Sequence, residues 1–160
     1  MKILVLIVFI LFTSSLIAQT HEMIKHNGVT VDINLIKIEN NVVYYTFPQS
    51  LEEQSISKYA VVKLNEKSKT TPFIVSEKIQ LNGKSDYNKV VVLQKHQTLG
   101  LKESGIITSF YLGTKGESPL SFTENGKKRL KQNAAQNGAP FIVILSNKPK
   151  DLKAAIYTYE

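Results

Sequence analysis

Residues 121–145, SFTENGKKRLKQNAAQNGAPFIVIL, signal a helix start, a helix stop and a following strand in one run, and the rest of the chain must fit around that unit. Ser121 with Glu124 three residues later matches a capping box, in which the hydroxyl accepts a free backbone N–H and the carboxylate reaches back to the cap residue; Thr123 is the rival cap. Leu130, Ala134 and Gly138 recur at four-residue spacing with Ala135 beside them, which predicts a narrow stripe of small apolar side chains and a close approach of the helix to a sheet. Lys127, Lys128, Lys131 and Gln132 populate the other faces. Asn137 and Gly138 supply a left-handed terminus and Pro140 forces Ala139 to be extended, so the helix ends near Asn137. The apolar run 141–145 does not alternate and is too short for a buried helix, which predicts a central strand covered on both faces.

The beginning of the chain has the order of a secretory signal peptide: Lys2, an apolar run over 3–12, a polar break at Thr13, Ser14 and Ser15, then Leu16, Ile17 and Ala18 before Gln19. That run is shorter than the roughly 20 residues a membrane-crossing helix needs, so the expectation is a signal over 1–19, cleaved near Ala18, and no transmembrane span in the mature chain. Export, to the periplasm or beyond the cell, removes nucleic acid as a partner. It also leads to an oxidising compartment, yet the chain has no cysteine, which excludes a disulfide framework, a lipid-modified cysteine and thiol catalysis. The formal net charge of +7 favours attraction to anionic envelope polymers or lipid headgroups.

After the signal, Asn27-Gly28 marks a turn, and Val29, Val31, Ile33 and Leu35 alternate with polar residues up to residue 38, as a half-buried strand does. The polar turn Glu39-Asn40-Asn41 and the β-branched, aromatic run 42–47 make the second arm of a hairpin. Residues 49–58 read as polar with room for one helical turn, 56–64 as another strand, and 65–71 (NEKSKTT) as a linker. The stretch 73–81 belongs to neither half by pattern alone. Strands then follow at 89–94, 105–112, 141–145 and 154–159 around the single helix. The reading is an α+β protein: a small antiparallel β module over 20–70, then a β-β-α-β-β domain over 71–160 with one helix packed on a sheet.

Two resemblances add to this. The series NGVTVDINLIKIENNVVYY followed by ISKYAVVKL resembles the small SH3-like or Sm-like β modules that open many secreted bacterial proteins. The series GLKESGIITSF, a loop, KKRLKQNAAQNGAPFIVILSN and AAIYTYE is similar to the C-terminal domain of the Rcs envelope-stress sensor lipoprotein and to related small bacterial envelope domains. There a strand near a glycine, here Gly105, leads to a helix ending in the pattern of Ala134, Ala135, Gly138 and Ala139. The resemblance implies a fold and an envelope setting. The sensor's lipid-bearing and disulfide cysteines have no counterpart here, so its signalling role does not transfer with the fold.

Catalytic chemistry finds little footing. G-x-S-x-G does not occur, Ser118 to Ser121 lacks the elbow glycines of a hydrolase, and no glycine-rich phosphate loop calls for a cofactor. Glu52-Glu53 reads as a solvated pair and His96 as a surface histidine. His21, Glu22 and His26 are the nearest approach to a metal set, on a stretch expected to be a solvated tail before the first strand. Tyr44 with Tyr45, and Tyr157 with Tyr159, are expected to send at least one ring of each pair outward. Lys127, Lys128, Arg129 and Lys131 form the densest positive patch and the candidate interaction surface. The functional expectation is a non-enzymatic exported protein that binds an envelope protein or an anionic envelope polymer; the alternative is a periplasmic carrier of a small ligand or metal.

Overall fold

The computed structural model describes residues 21–113, 115–148 and 151–160; the expected signal over 1–19 lies outside them. The molecule is α+β, with two sheets and one long helix in three layers. The first sheet holds β1 (His21–Lys25), β2 (Thr30–Glu39), β3 (Val42–Thr46), β4 (Glu53–Ser57), β5 (Val61–Glu66) and β6 (Phe73–Ile74), in the order β4-β3-β2-β1-β5-β6. All its pairings are antiparallel. The second holds β7 (Val91–Val92), β8 (Leu101–Ser109), β9 (Phe141–Lys148) and β10 (Asp151–Tyr159), in the order β7-β9-β10-β8, with only β7 parallel to its neighbour. Helix α1 (Pro119–Gln136) lies on one face of this second sheet.

The hairpin of β2 and β3 forms because Asn40 and Asn41 both take positive φ, 49° and 63°, as a tight turn with the twist of its strands requires. Three expectations about the first sheet are corrected. Residues 21–25 are not a tail: β1 sits between β2 and β5, and Met23 is wholly buried, because pairing on both sides supplies an order that the sequence HEMIK does not advertise. The run 56–64 is not one strand, since a 3₁₀ turn at Lys58–Ala60 separates β4 from β5 and places them apart in the sheet. Residues 49–58 accordingly supply β4. The unassigned stretch 73–81 joins the first sheet: β6 pairs with β5, and the Val75 and Ser76 amides both donate to the Val62 carbonyl.

In the second sheet β9 is an interior strand, as its unalternating sequence predicts, and its neighbours β7 and β10 flank it. The expected strand at 89–94 shrinks to the two residues of β7, because a 3₁₀ turn at Lys84–Lys89 and another at Lys95–Thr98 claim its ends. The strand expected at 105–112 begins earlier, at Leu101, and ends at Ser109; Gly105 lies inside it, where the register against β10 shifts.

Helix α1 starts ahead of the expected capping box. Pro119 occupies the first helical position, where its missing N–H costs nothing, and the Ser118 hydroxyl accepts the Ser121 amide at 3.2 Å. Ser121 instead donates its hydroxyl proton to Glu117. At the other end Gly138 has φ 67°, the Gly138 amide donates to the Ala135 carbonyl and the Ala139 amide to the Ala134 carbonyl, which is a Schellman terminus. The buried stripe is Gly126, Leu130 and Ala134 with Ala135; a Cβ at Gly126 would lie 3.0 Å from Asn147 Oδ1 and 3.1 Å from the Leu152 side chain, so the sheet's side chains pack directly on the helix backbone there.

β9 and β10 divide their side chains between two cores. Phe141, Val143, Ala155 and Tyr157 face the first sheet and join Met23, Ile33, Val43, Val61 and Leu64. Ile142, Ala154 and Ile156 face the helix and join Leu130, Ala134, Ala135 and Ala139. The two halves of the chain thus share one hydrophobic seam. Hydrogen bonds cross it from Ser57 N to Leu99 O and from Gln97 Nε2 to Asn40 O. Gly100 stays small because a Cβ there would reach 2.6 Å from the Ile56 side chain. Tyr157 and Tyr159 stand two residues apart and therefore share a face, so both rings turn inward, against the expectation of one outward ring.

Candidate functional site

The four basic residues singled out in the sequence do not form one patch. Successive helical positions turn by about 100°, so Lys127, Lys128 and Lys131 fall on one flank of α1 and Arg129 on the other. On the first flank the helix packs against the 3₁₀ turn Lys84–Lys89. Tyr87, Asn88, Glu124, Asn125, Lys127, Lys128 and Lys131 line a shallow cleft of about 280 Å³ between them. Asp86 fixes the turn: its carboxylate accepts the Asn82 amide at 2.7 Å and pairs with Lys89 at 3.2 Å, and both interactions hold it below the usual carboxylate range. Tyr87, half-buried against the helix-side core, then offers its ring to Lys128, whose ammonium lies 5.2 Å from the centroid.

The charge in this cleft is unbalanced. Lys127 is paired with Glu124 at 2.7 Å, while Lys128 and Lys131 have no ion-pair partner among the described residues. Three ammonium groups beside one carboxylate, with an aromatic wall and the Asn88 amide, are equipped to hold an anion.

Arg129 has a different task. Its guanidinium lies 5.2 Å from the centroid of Tyr111, which packs on Phe122, and the Tyr111 hydroxyl donates to Glu117. Asn125 also donates to Glu117. This knot ties the start of α1 to the strand before it, and burial together with Glu117 raises the Tyr111 pKa.

His21, Glu22 and His26 are not brought together. Neighbours on a strand point to opposite faces, so His21 and Glu22 diverge, and Glu22 accepts from Asn65 at 2.7 Å. Among the described residues no three His, Asp or Glu side chains group as metal ligands do. His26 lies beyond the end of β1, where Nε2 is 3.0 Å from Ser76 Oγ and the ring packs on Tyr159 with centroids 4.7 Å apart. Ser76 sends its own hydroxyl proton to the Val61 carbonyl at 2.8 Å, so His26 is the donor in this pair and does not activate the serine. Burial first, and Lys78 second, lower the His26 pKa.

A second polar group, Lys95, Glu103 and Tyr157, was not singled out from the sequence. The Tyr157 hydroxyl donates to Glu103 at 2.8 Å and accepts from Lys95 at 2.7 Å. The tyrosine hydrogen bond is the larger cause on each side, raising the Lys95 pKa and lowering that of Glu103, so both stay charged and bolt the 3₁₀ turn Lys95–Thr98 to β8. His96 is exposed, as are Glu52 and Glu53. No helix among the described residues is long and apolar enough to cross a membrane. Comparison with protein-family models, with curated proteins and with solved structures finds no match.

Proposed function

We propose that this chain is an exported, non-enzymatic binding protein of the cell envelope that holds an anionic envelope component in the cleft between α1 and the Lys84–Lys89 turn. The observation that carries the reading is the convergence of Lys127, Lys128 and Lys131 on one cleft with Tyr87 as its wall and a single carboxylate in opposition. The signal pattern over 1–19 and the similarity to an envelope-sensor domain supply the compartment.

The anion is recognised by charge more than by shape, because the cleft is shallow and open. A lysine near an anionic surface contributes about 1 kcal/mol, so three together are worth roughly a hundredfold in affinity. The purified chain should bind vesicles containing phosphatidylglycerol, or a soluble anionic envelope polymer, and release them as salt is raised. The triple variant Lys127→Glu/Lys128→Glu/Lys131→Glu should lose that binding at unchanged thermal stability. Retention of wild-type affinity by the triple variant would remove this site from consideration.

A further inference from the structure

Of the four strand edges in the molecule, three are short or blunted. β6 and β7 have two residues each, and β4 has five and opens with Glu53. β8 is different: nine residues long, it pairs only with β10, and residues 102–106 are all exposed. Among the described residues its outer side meets no other strand; the one further contact to its backbone across the fold is a long one, 3.5 Å, from Asn133 Nδ2 to the Thr108 carbonyl. An edge of this length presents a row of free amide and carbonyl groups, and natural proteins guard such rows with charge or proline. Here the run 104–112, SGIITSFYL, has neither, and is rich in the β-branched and aromatic residues that favour pairing. Lys102 and Glu103 carry charge at the start of β8 and the register shifts at Gly105, so the unguarded part of the edge is 106–109.

The sheet face beside this edge is also uncovered. The first sheet covers Phe141 and Val143 but stops short of the far end of β9 and β8, where Ile106 is 61% exposed and Leu145 54%. Phe110, just past the end of β8, is 62% exposed.

We infer that β8 is the pairing edge for a second copy of this chain, joining the two four-stranded sheets through an antiparallel β8–β8 contact. Three features select a second copy as the occupant. β8 already runs antiparallel to β10, so a symmetric partner continues the same ladder pattern outward. A pairing centred on Gly105 sets Lys102 of one copy against Thr108 of the other and Glu103 against Ile107, so no like charges meet even though each chain is strongly basic. The same register makes the two Ile106 side chains diagonal neighbours on one face, merging two exposed patches into a shared one. The lysine cleft lies by the β7 edge, at the opposite side of the sheet, so the pair presents two clefts at its ends.

Sedimentation equilibrium and light scattering of the purified chain, from micromolar to millimolar concentration, test this. The expected result is a monomer–dimer equilibrium, with the amides of 102–109 that point away from β10 becoming protected from hydrogen exchange in the dimer. Ile106→Lys should weaken association by about tenfold or more, because it places two ammonium groups side by side across the pair. Leu51→Lys, at an exposed position between β3 and β4, should leave it unchanged. The monomeric melting temperature of each variant shows whether it folds, and the exchange pattern of the wild type reports on the edge without any substitution. A monomer at every concentration, or a dimer that survives Ile106→Lys with β8 amides still exchanging freely, overturns the proposal. A chain that remains monomeric but takes up a foreign extended peptide at β8 overturns it too, in favour of a different partner.

Discussion

Between the two sheets the space is filled by large side chains from distant parts of the chain, Met23, Ile33, Leu64, Tyr59 and Phe141 among them, whereas the helix contributes to its seam only Leu130 and the small residues Gly126, Ala134 and Ala135, which meet Ile142, Leu152, Ala154 and Ile156 of the sheet. The same strand, β9, lines both. Its odd-numbered inner residues meet aromatic rings: Phe141 lies 5.1 Å from Tyr59 and 5.3 Å from Tyr159 by ring centroid. Its even-numbered ones meet a helix drawn in by its lack of side chains. Volume is complementary across each seam, so the first should suffer most from atoms removed and the second from atoms added.

Truncating Phe141→Ala tests the first half of that statement and should have the largest effect, a loss of about 3–5 kcal/mol in denaturant unfolding, because the ring is wholly buried between two others. A loss below about 1 kcal/mol would mean that the seam closes over the gap, which close packing does not allow. Enlarging Ala134→Leu tests the other half. It should cost about 1–3 kcal/mol even though leucine is a good helix former, because the axis must lift off the sheet to admit it. A neutral result would show that the small stripe is a tolerance and not a requirement.

The smallest effect separates the seams by pH. His26 closes the rim of the first seam against Tyr159 and Ser76, and nothing titrating near neutrality lies in the second. Its folded pKa is lowered, so the unfolded chain takes up the proton more readily and folding stability falls as pH drops below the ordinary histidine value of 6.5. His26→Gln should flatten the difference in melting temperature between pH 7 and pH 5 relative to wild type. An identical slope in the variant would assign the acid sensitivity to the carboxylates instead.

Much of the helix-side seam was legible because its signals are local. Gly138 and Pro140 end the helix from within their own neighbourhood, and 141–145 announce a strand by composition alone, although its cover on both faces reaches only to Val143 and leaves Leu145 exposed. The sheet-to-sheet seam was not, because its decisive element is β1, whose five residues carry no alternation and gain their place from pairing with β2 and β5. The break at Lys58–Ala60 was hidden for a similar reason: the sequence stays strand-like while the backbone turns. The candidate site was half visible. Adjacent lysines flag themselves in a sequence, but separating Arg129 from the others needs the helical turn, and adding Tyr87 and Asn88 needs the packing of a turn some forty residues upstream.

β10 has a further consequence for when the molecule acquires its shape. Tyr159 packs on His26, 133 positions earlier in the chain, and accepts the Ile79 amide with its hydroxyl, and Tyr157 and Ala155 form part of the wall against which the first sheet packs. The early strands therefore have their hairpins but not their inner surface until the late ones arrive, and contacts so far apart in sequence make for slow closure. A chain threaded through a membrane channel from its beginning would emerge as loosely joined hairpins and commit to its fold only as the last strand came through.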